Sequence, residues 1–287
     1  TFQKRLVAAL TFQQTRSFSK HLKLTENDPD LGIFTLSMSH APVNALNLDF
    51  LSELNEAFRH LSTKPHKYRG LILTSSVNSI FSAGLDMMEM KSGDSKRIEN
   101  WWQSLQICWQ LLYGAPLATV AAINGACPAG GCLLSMCCDF RTMVPHDRYK
   151  IGLNESKIGL PVPWWFESTM ASILPLKTTK RLCQEGTLLT PHEALDIGLV
   201  DALHDQPDVA AFDYLHRTLS LHSQPQQWQD YCAKKAENRT ALLKRFRTSQ
   251  EQDVLEMRQV FASQKIQNML DQYLASLKQR KNNPSKK

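Results

Sequence analysis

The sequence predicts an α/β fold with a helical C-terminal region, on three observations. Short apolar runs that read as buried strands alternate with amphipathic helical periodicity between residues 33 and 143. Beyond about residue 205 the strand signal stops, and polar helical periodicity continues alone. A chain of 287 residues that is 43% apolar is also long enough to bury one large core and carry an appendage.

In chain order, residues 1–18 read as a mitochondrial transit peptide. They are rich in Ser, Thr and Gln and place Phe2, Leu6 and Leu10 at helical spacing, and Arg16-Ser17-Phe18-Ser19 resembles a presequence cleavage site. Residues 19–204 form the expected α/β core. Ile33–Met38 alternates as a strand, and Ala41-Pro42-Val43-Asn44 is a turn. Leu48, Leu51, Leu54 and Phe58 recur as one helix face, and 70–74 is a short apolar run typical of a buried strand. A loop at 81–86 leads to an amphipathic helix over 98–113 that carries Trp101, Trp102 and Trp109 and is broken by Pro116. Strands are expected at 117–123 and Phe140–Met143. Residues 205–281 form the helical region; its apolar stripes, including Trp228, Val254, Met257, Phe261, Ile266 and Leu270, exceed what one small layer covers and so are expected to pack on another subunit. Residues 282–287 are expected to be a disordered tail.

Charge excludes one class of partner. The formal net charge is +6, but Lys4, Arg5, Arg16, Lys20 and Lys23 fall in the first 25 residues with no acid, and Lys278, Arg280, Lys281, Lys286 and Lys287 fall in the last ten, again with none. Without those ten, 23 of the 33 basic residues face 27 acidic ones, so the body is about −4 and offers no basic nucleic-acid surface. No stretch approaches the ~20 apolar residues of a membrane-spanning helix. The seven cysteines are an odd number scattered among apolar residues, which is the pattern of reduced thiols acting as small hydrophobes. Cys132 and Cys137 do not suggest a metal site, because five residues on a helix turn the side chains roughly 140° apart.

The chemistry concentrates in NGACPAGGCLLSMCCDF, residues 124–140. Phosphate loops need a lysine after the glycines or a G-x-G-x-x-G opening, and neither is present. Gly130 and Gly131 therefore either make a tight turn that packs a helix on a strand, or present first-turn N–H groups to a carbonyl oxygen that gains negative charge. Two more loops follow expected strands: Ser82-Ala83-Gly84-Leu85-Asp86 and Ile151-Gly152-Leu153-Asn154-Glu155. Ligands in α/β sheets collect at the carboxyl ends of strands. Glu155 taken alone is either a base for carbon acid chemistry or an acid placed to complement a helix N-terminus. Ile151, Leu153, Ile158, Leu160, Trp164 and Trp165 are available to bury it and raise its proton affinity.

With these residues in place, the chain resembles the crotonase (enoyl-CoA hydratase/isomerase) superfamily, and its isomerase branch most. The resemblance runs from about residue 23 to 277 and rests on PVNALNLDFL, FSAGLDMMEM, INGACPAGGCLLSMCCDFR, IGLNESKIGLP and LTPHEALDIGLVD in that order. It implies a spiral of ββα turns with a helical C-terminal trimerisation region. It implies an acyl-CoA thioester as substrate, a homotrimer in the mitochondrial matrix, and no metal or cofactor beyond the coenzyme A of the substrate. By matching position, the N–H groups of Leu85 and Gly130 form an oxyanion hole for the thioester oxygen, with glycine required for close approach, and Glu155 is the catalytic base. Ala83, Gly84, Leu85, Asp86, Met87, Gly130 and Asn154 are the implied substrate-binding residues. Asp86 also reads as a helix cap, Asn154 as either an acyl contact or a turn cap, and Trp164 and Trp165 as either tunnel lining or core anchors. Family hydratases carry a second glutamate where this chain has Leu133. With one base and no water-holding partner, the expected reaction moves a 3-enoyl double bond to the 2-trans position in β-oxidation of unsaturated fatty acids. The other readings are a hydratase or thioesterase of the same fold, and a non-catalytic acyl-CoA- or RNA-binding relative. The acidic body opposes RNA, and Glu155 with both glycine loops opposes loss of catalysis.

Overall fold

The structure is a computed structural model that describes residues 15–282. Most of the expected transit peptide and nearly all of the expected tail lie outside the described residues. The strands are β1 (Thr15–Ser17), β2 (Leu22–Asp28), β3 (Ile33–Met38), β4 (Ala45–Leu46), β5 (Gly70–Ser75), β6 (Gly84–Leu85), β7 (Ala118–Ile123), β8 (Cys127–Pro128), β9 (Phe140–Met143), β10 (Ile151–Gly152) and β11 (Ala202–Leu203). A seven-stranded sheet has the order β1-β2-β3-β5-β7-β9-β11. Its first three strands are antiparallel neighbours, and from β3 to β11 the pairing is parallel. Four successive turns of chain each give one strand to this sheet and one two-residue strand to a second layer, where β4 pairs with β6 and β8 with β10. This is the ββα spiral expected from the resemblance.

Helix α1 (Leu48–Ser62) starts where Asn47 accepts the Phe50 N–H; it buries Leu51, Leu54 and Phe58 as the spacing predicts, leaves Leu48 half-buried, and also buries Phe50, outside the expected face. A single turn, α2 (Met87–Met90), precedes α3 (Ser95–Tyr113). Helix α3 begins three residues before the expected start, because Asp94 accepts the N–H groups of Lys96 and Arg97 and so extends it through a polar first turn. Helix α4 (Gly130–Met136) is wholly buried. After it come α5 (Trp164–Ala171), α6 (Leu176–Glu185), α7 (Pro191–Asp196) and α8 (Pro207–Leu221). Strand β7 explains the layering: Ala121 and Ile123 join the main core, whereas Ala118, Val120 and Ala122 pack with Ala211, Leu215 and Leu219 of α8. The sheet is thus covered on both faces.

The C-terminal region is helical throughout, with α9 (Pro225–Ala262) and α10 (Gln264–Asn282) following α8. The premise that its apolar stripes exceed what the chain itself covers is corrected by the structure. Phe246, Val254, Met257, Phe261, Ile266 and Leu270 are buried in the chain's own core, most of them along the 38-residue α9, where Phe246 meets Trp109 and Trp165. Two polar knots fix this helix. Lys235 and Arg239 hold Asp139 at 2.7 and 2.6 Å, and Asp253 accepts from Trp102 and Gln106, each at 2.7 Å, and from Trp165 at 3.3 Å.

Candidate active site

The three loops singled out in the sequence come together. Ala83 N–H donates to Val43 O at 2.9 Å, and Gly84 and Leu85 pair in register with Ala45 and Leu46. Gly84 has φ +85°, and a Cβ on it would lie 2.8 Å from the Gly130 nitrogen and 2.9 Å from Ala129 Cβ. The backbones that carry the Leu85 and Gly130 N–H groups are therefore packed directly against each other. Gly130 is the first residue of α4, where N–H groups have no intrahelical acceptor. A Cβ on Gly131 would stand 2.5 Å from Ser82 O. The glycine requirement thus comes first from the docking of one loop on the other, rather than from the approach of a ligand alone.

The residue that aims Gly130 is not a glycine. Ala129 adopts φ +49°, a conformation that costs a non-glycine residue on the order of 1–3 kcal/mol. Its N–H donates to Gly152 O at 2.8 Å, and Cys127 and Pro128 pair with Ile151 and Gly152. This ladder joins the Gly130 loop to the loop bearing Glu155, three residues beyond Gly152.

Glu155 opens a four-residue 3-10 turn, Glu155–Ile158, closed by Gly159 in the left-handed region. The turn is held from several sides: Leu160 N–H donates to Glu155 O at 3.0 Å, Ser156 Oγ to Cys183 O at 2.5 Å, and Ile151 exchanges backbone bonds with Leu189. The Glu155 side chain differs from this well-bonded frame. The residue is 3% exposed, and neither carboxylate oxygen has a hydrogen-bond partner in the protein. Burial pushes its pKa from the ordinary 4.5 up to about 7, against a smaller lowering by its own backbone N–H, which lies near the carboxylate without meeting hydrogen-bond geometry. Cys132, one turn into α4, and Cys183 on α6 lie close enough to feel its charge. A carboxylate in this state can take a proton from carbon near neutrality and return it. Glu155 does stand in the first turn of a helix, but that helix has only four residues and none of its N–H groups bonds the carboxylate.

Of the remaining expectations, Asp86 does cap a helix: its carboxylate accepts the Met88 N–H of α2 at 2.8 Å. Asn154 makes no side-chain cap, which removes the turn-capping alternative. Trp165 is a core anchor with no exposure. Trp164 is half-buried beneath the guanidinium of Arg245, 4.4 Å from its ring centroid, and near Phe246, so it too faces α9. Leu133 is fully buried on α4. All seven cysteines are free thiols, and among the described residues no cluster of His, Cys, Asp or Glu is arranged to hold a metal. No described helix is long and apolar enough to cross a membrane. Sequence reasoning missed Ala129, whose strained turn leaves no trace in residue type, and the partnerless state of Glu155.

A cleft of about 920 Å³ opens elsewhere, lined by Asp139, Arg141, Asp201, Lys234, Lys235 and Arg239 among others, and by none of Leu85, Gly130 or Glu155. Most of its charges are already spent: Lys235 and Arg239 on Asp139, and Arg141 on Asp201 at 2.6 Å. The buried carboxylate left unsatisfied stands at Glu155, outside this cleft.

A ββα spiral that ties a helix N-terminus and a second backbone turn to the loop of a buried, partnerless carboxylate marks an α/β protein with a candidate site for proton transfer. The particular family follows from sequence: residues 29–282 match the enoyl-CoA hydratase/isomerase family, and the chain belongs to it. It is 35% identical over 268 residues to enoyl-CoA delta isomerase 1, mitochondrial, of Mus musculus, covering 93% of this chain and 91% of that one. The Homo sapiens protein of the same name is also 35% identical, with 93% and 87% covered. The crystal structure of human mitochondrial delta3-delta2-enoyl-CoA isomerase superposes with a TM-score of 0.85 at 34% identity, covering 91% of this chain and all of that one. An enoyl-CoA hydratase from Bacillus halodurans shares the fold at 22% identity, with a TM-score of 0.77 over 88% of this chain and 99% of its own. The fold is the crotonase-like spiral.

Proposed function

We propose that this protein is a Δ3,Δ2-enoyl-CoA isomerase that moves the double bond of a 3-enoyl-CoA thioester to the 2-trans position in the oxidation of unsaturated fatty acids. The observation that carries the reading is the buried Glu155 carboxylate, without a protein partner and with a pKa near 7, on a loop tied to the Gly84–Gly130 contact. Glu155 takes a proton from C2, and the C2–H electron pair delocalises into the thioester to give a dienolate. The negative oxygen is received by the N–H groups of Leu85 and Gly130, each such donor contributing roughly 2.7–4 kcal/mol in the transition state. The same carboxyl returns the proton to C4, and the double bond settles between C2 and C3. No atom is gained or lost, and no metal or cofactor beyond the substrate's own coenzyme A is required. Ala83, Gly84, Asp86, Met87 and Asn154 complete the substrate-binding set.

Leu133 separates this reaction from hydration, since leucine neither holds a water nor exchanges a proton. The names of the relatives and the basic, acid-free N-terminal segment support a mitochondrial, and within it a matrix, location. The homotrimer rests on the family resemblance, and sedimentation at micromolar concentration tests it, a monomer overturning it. For the activity itself, purified protein is given 3-enoyl-CoA thioesters of several chain lengths while the conjugated 2-enoyl product is followed by absorbance. Failure to form that product from any of them refutes the assignment.

A further inference from the structure

We infer that Glu89 is a positioning residue for the oxyanion hole: its carboxylate clamps the segment that presents the Leu85 N–H onto α1 and α3. The inference rests on the isomerase reading above and adds to it a residue that never touches the substrate.

The segment needs an external hold. Leu85 sits on a two-residue strand and is followed at once by the single turn of α2, and neither element is long enough to be stable alone. A hole donor must nevertheless stay within about 0.5 Å of its productive position. Glu89 is 3% exposed, which is unusual for an acid, and all of its bonds run to the elements around the hole. One carboxylate oxygen accepts the Leu48 N–H at 3.0 Å and Arg97 Nη2 at 2.7 Å, and the other accepts Arg97 Nε at 2.8 Å. Leu48 is the first residue of α1, two residues beyond Leu46, and Leu46 is the partner of Leu85 in the small ladder. Glu89 therefore closes a ring from Leu85 through α2 to α1 and back along the ladder. Its acceptor role at a helix N-terminus and its two-pronged pairing with arginine are both favourable uses of a buried charge. Helix α3 braces the same ladder a second time, since Trp101, one turn after Arg97, donates its Nε1–H to Leu46 O at 2.8 Å.

The test compares Glu89→Gln and Arg97→Met with the wild type. Glu89→Gln keeps shape but opposes an amide N–H₂ to the guanidinium; Arg97 is nearly half exposed, so its replacement spares the core should Glu89→Gln fail to fold. The expected result is a fall in kcat of about 10-fold or more for Glu89→Gln and a smaller fall for Arg97→Met. KM for 3-enoyl-CoA should stay within about threefold, because a misplaced hole donor is felt mainly in the transition state. Amide hydrogen exchange across residues 84–90 should quicken in both variants. Folded variants with unchanged kcat and unchanged exchange there would overturn the clamp, as would a loss seen only in KM. Should the wild type fail to isomerise any 3-enoyl-CoA, the functional reading falls, and the exchange measurement still decides whether Glu89 holds this segment.

Discussion

Replacing Glu155 by Gln tests the base and its burial in one variant. Burial raises the folded pKa from 4.5 to about 7, which at about 1.36 kcal/mol per tenfold change in proton affinity amounts to about 3 kcal/mol. The sign follows from proton counting. Between about pH 4.5 and 7 the unfolded chain has already lost this proton while the native state keeps it, so wild-type stability falls as pH rises through that window. The loss is small below the window and complete above it. Glutamine carries no such titration. The stability of Glu155→Gln relative to wild type should therefore improve by about 2–3 kcal/mol between pH 5 and pH 8, measured by urea unfolding at one fixed protein concentration. In the same variant isomerisation should drop at least ~10²-fold, because no second base stands at the matching position. Wild-type kcat/KM should rise with pH and level off above about 7 as the base ionises. A relative stability that stays constant within about 0.5 kcal/mol across that range would show that the carboxylate is not desolvated. Retained turnover would show that the proton goes elsewhere.

Three further outcomes are expected. Gly84→Ala places a methyl 2.8 Å from the Gly130 nitrogen at φ +85°, so it should cost ~10²-fold or more in kcat and lower the thermal midpoint in the same preparation. Leu133→Glu should raise hydration of 2-enoyl-CoA weakly and depress isomerisation, whereas the wild type should hydrate far more slowly than it isomerises; equal wild-type rates would remove Leu133 as the discriminator. Asp139→Asn leaves Lys235 and Arg239 without their shared carboxylate and should destabilise by about 3–5 kcal/mol in denaturant unfolding.

Elements whose periodicity is set by one apolar face were legible in the sequence. Ile33–Met38 and Phe140–Met143 occupy the expected residues, and α1 extends its expected face by one turn. What escaped was held by local polar chemistry or by tertiary contact. Helix α7 depends on a capping box between Thr190 and Glu193, and strand β1 on its pairing with β2. β1 and Phe18, which meets His60 edge-on, also fall inside the stretch read as a leader. The loops of the site were found by their glycines, yet the reason for those glycines was only half visible. Gly84 and Gly131 are small because another backbone lies against each of them, and that is a fact of tertiary packing. The reach of the C-terminal stripes was misjudged for a related reason: one 38-residue helix can lie along α3 and bury what appears in sequence as surplus apolar surface.

Three buried carboxylates show how the same fold separates structure from chemistry. Burial would raise Asp139, but Lys235 and Arg239 overcome it and hold the group below its usual range. Asp253 stays raised by burial, yet three N–H donors fix its orientation against α3 and α5. Each is tied in one direction and serves to hold α9 in place. Glu155 is less exposed than either, at 3% against 5% for Asp253 and 14% for the Asp139 side chain, and no donor in the protein meets hydrogen-bond geometry with its oxygens. That absence is costly for folding above neutral pH and suits the base proposed above. A carboxylate clamped by donors would be a poor base and could not turn from one carbon of a substrate to another two bonds away. An untethered one is limited only by its backbone, and the backbone of Glu155 is bonded on both sides of the residue. The proposed transfer of a proton from C2 to C4 calls for such a pairing of a bonded backbone with a carboxylate that no protein donor holds.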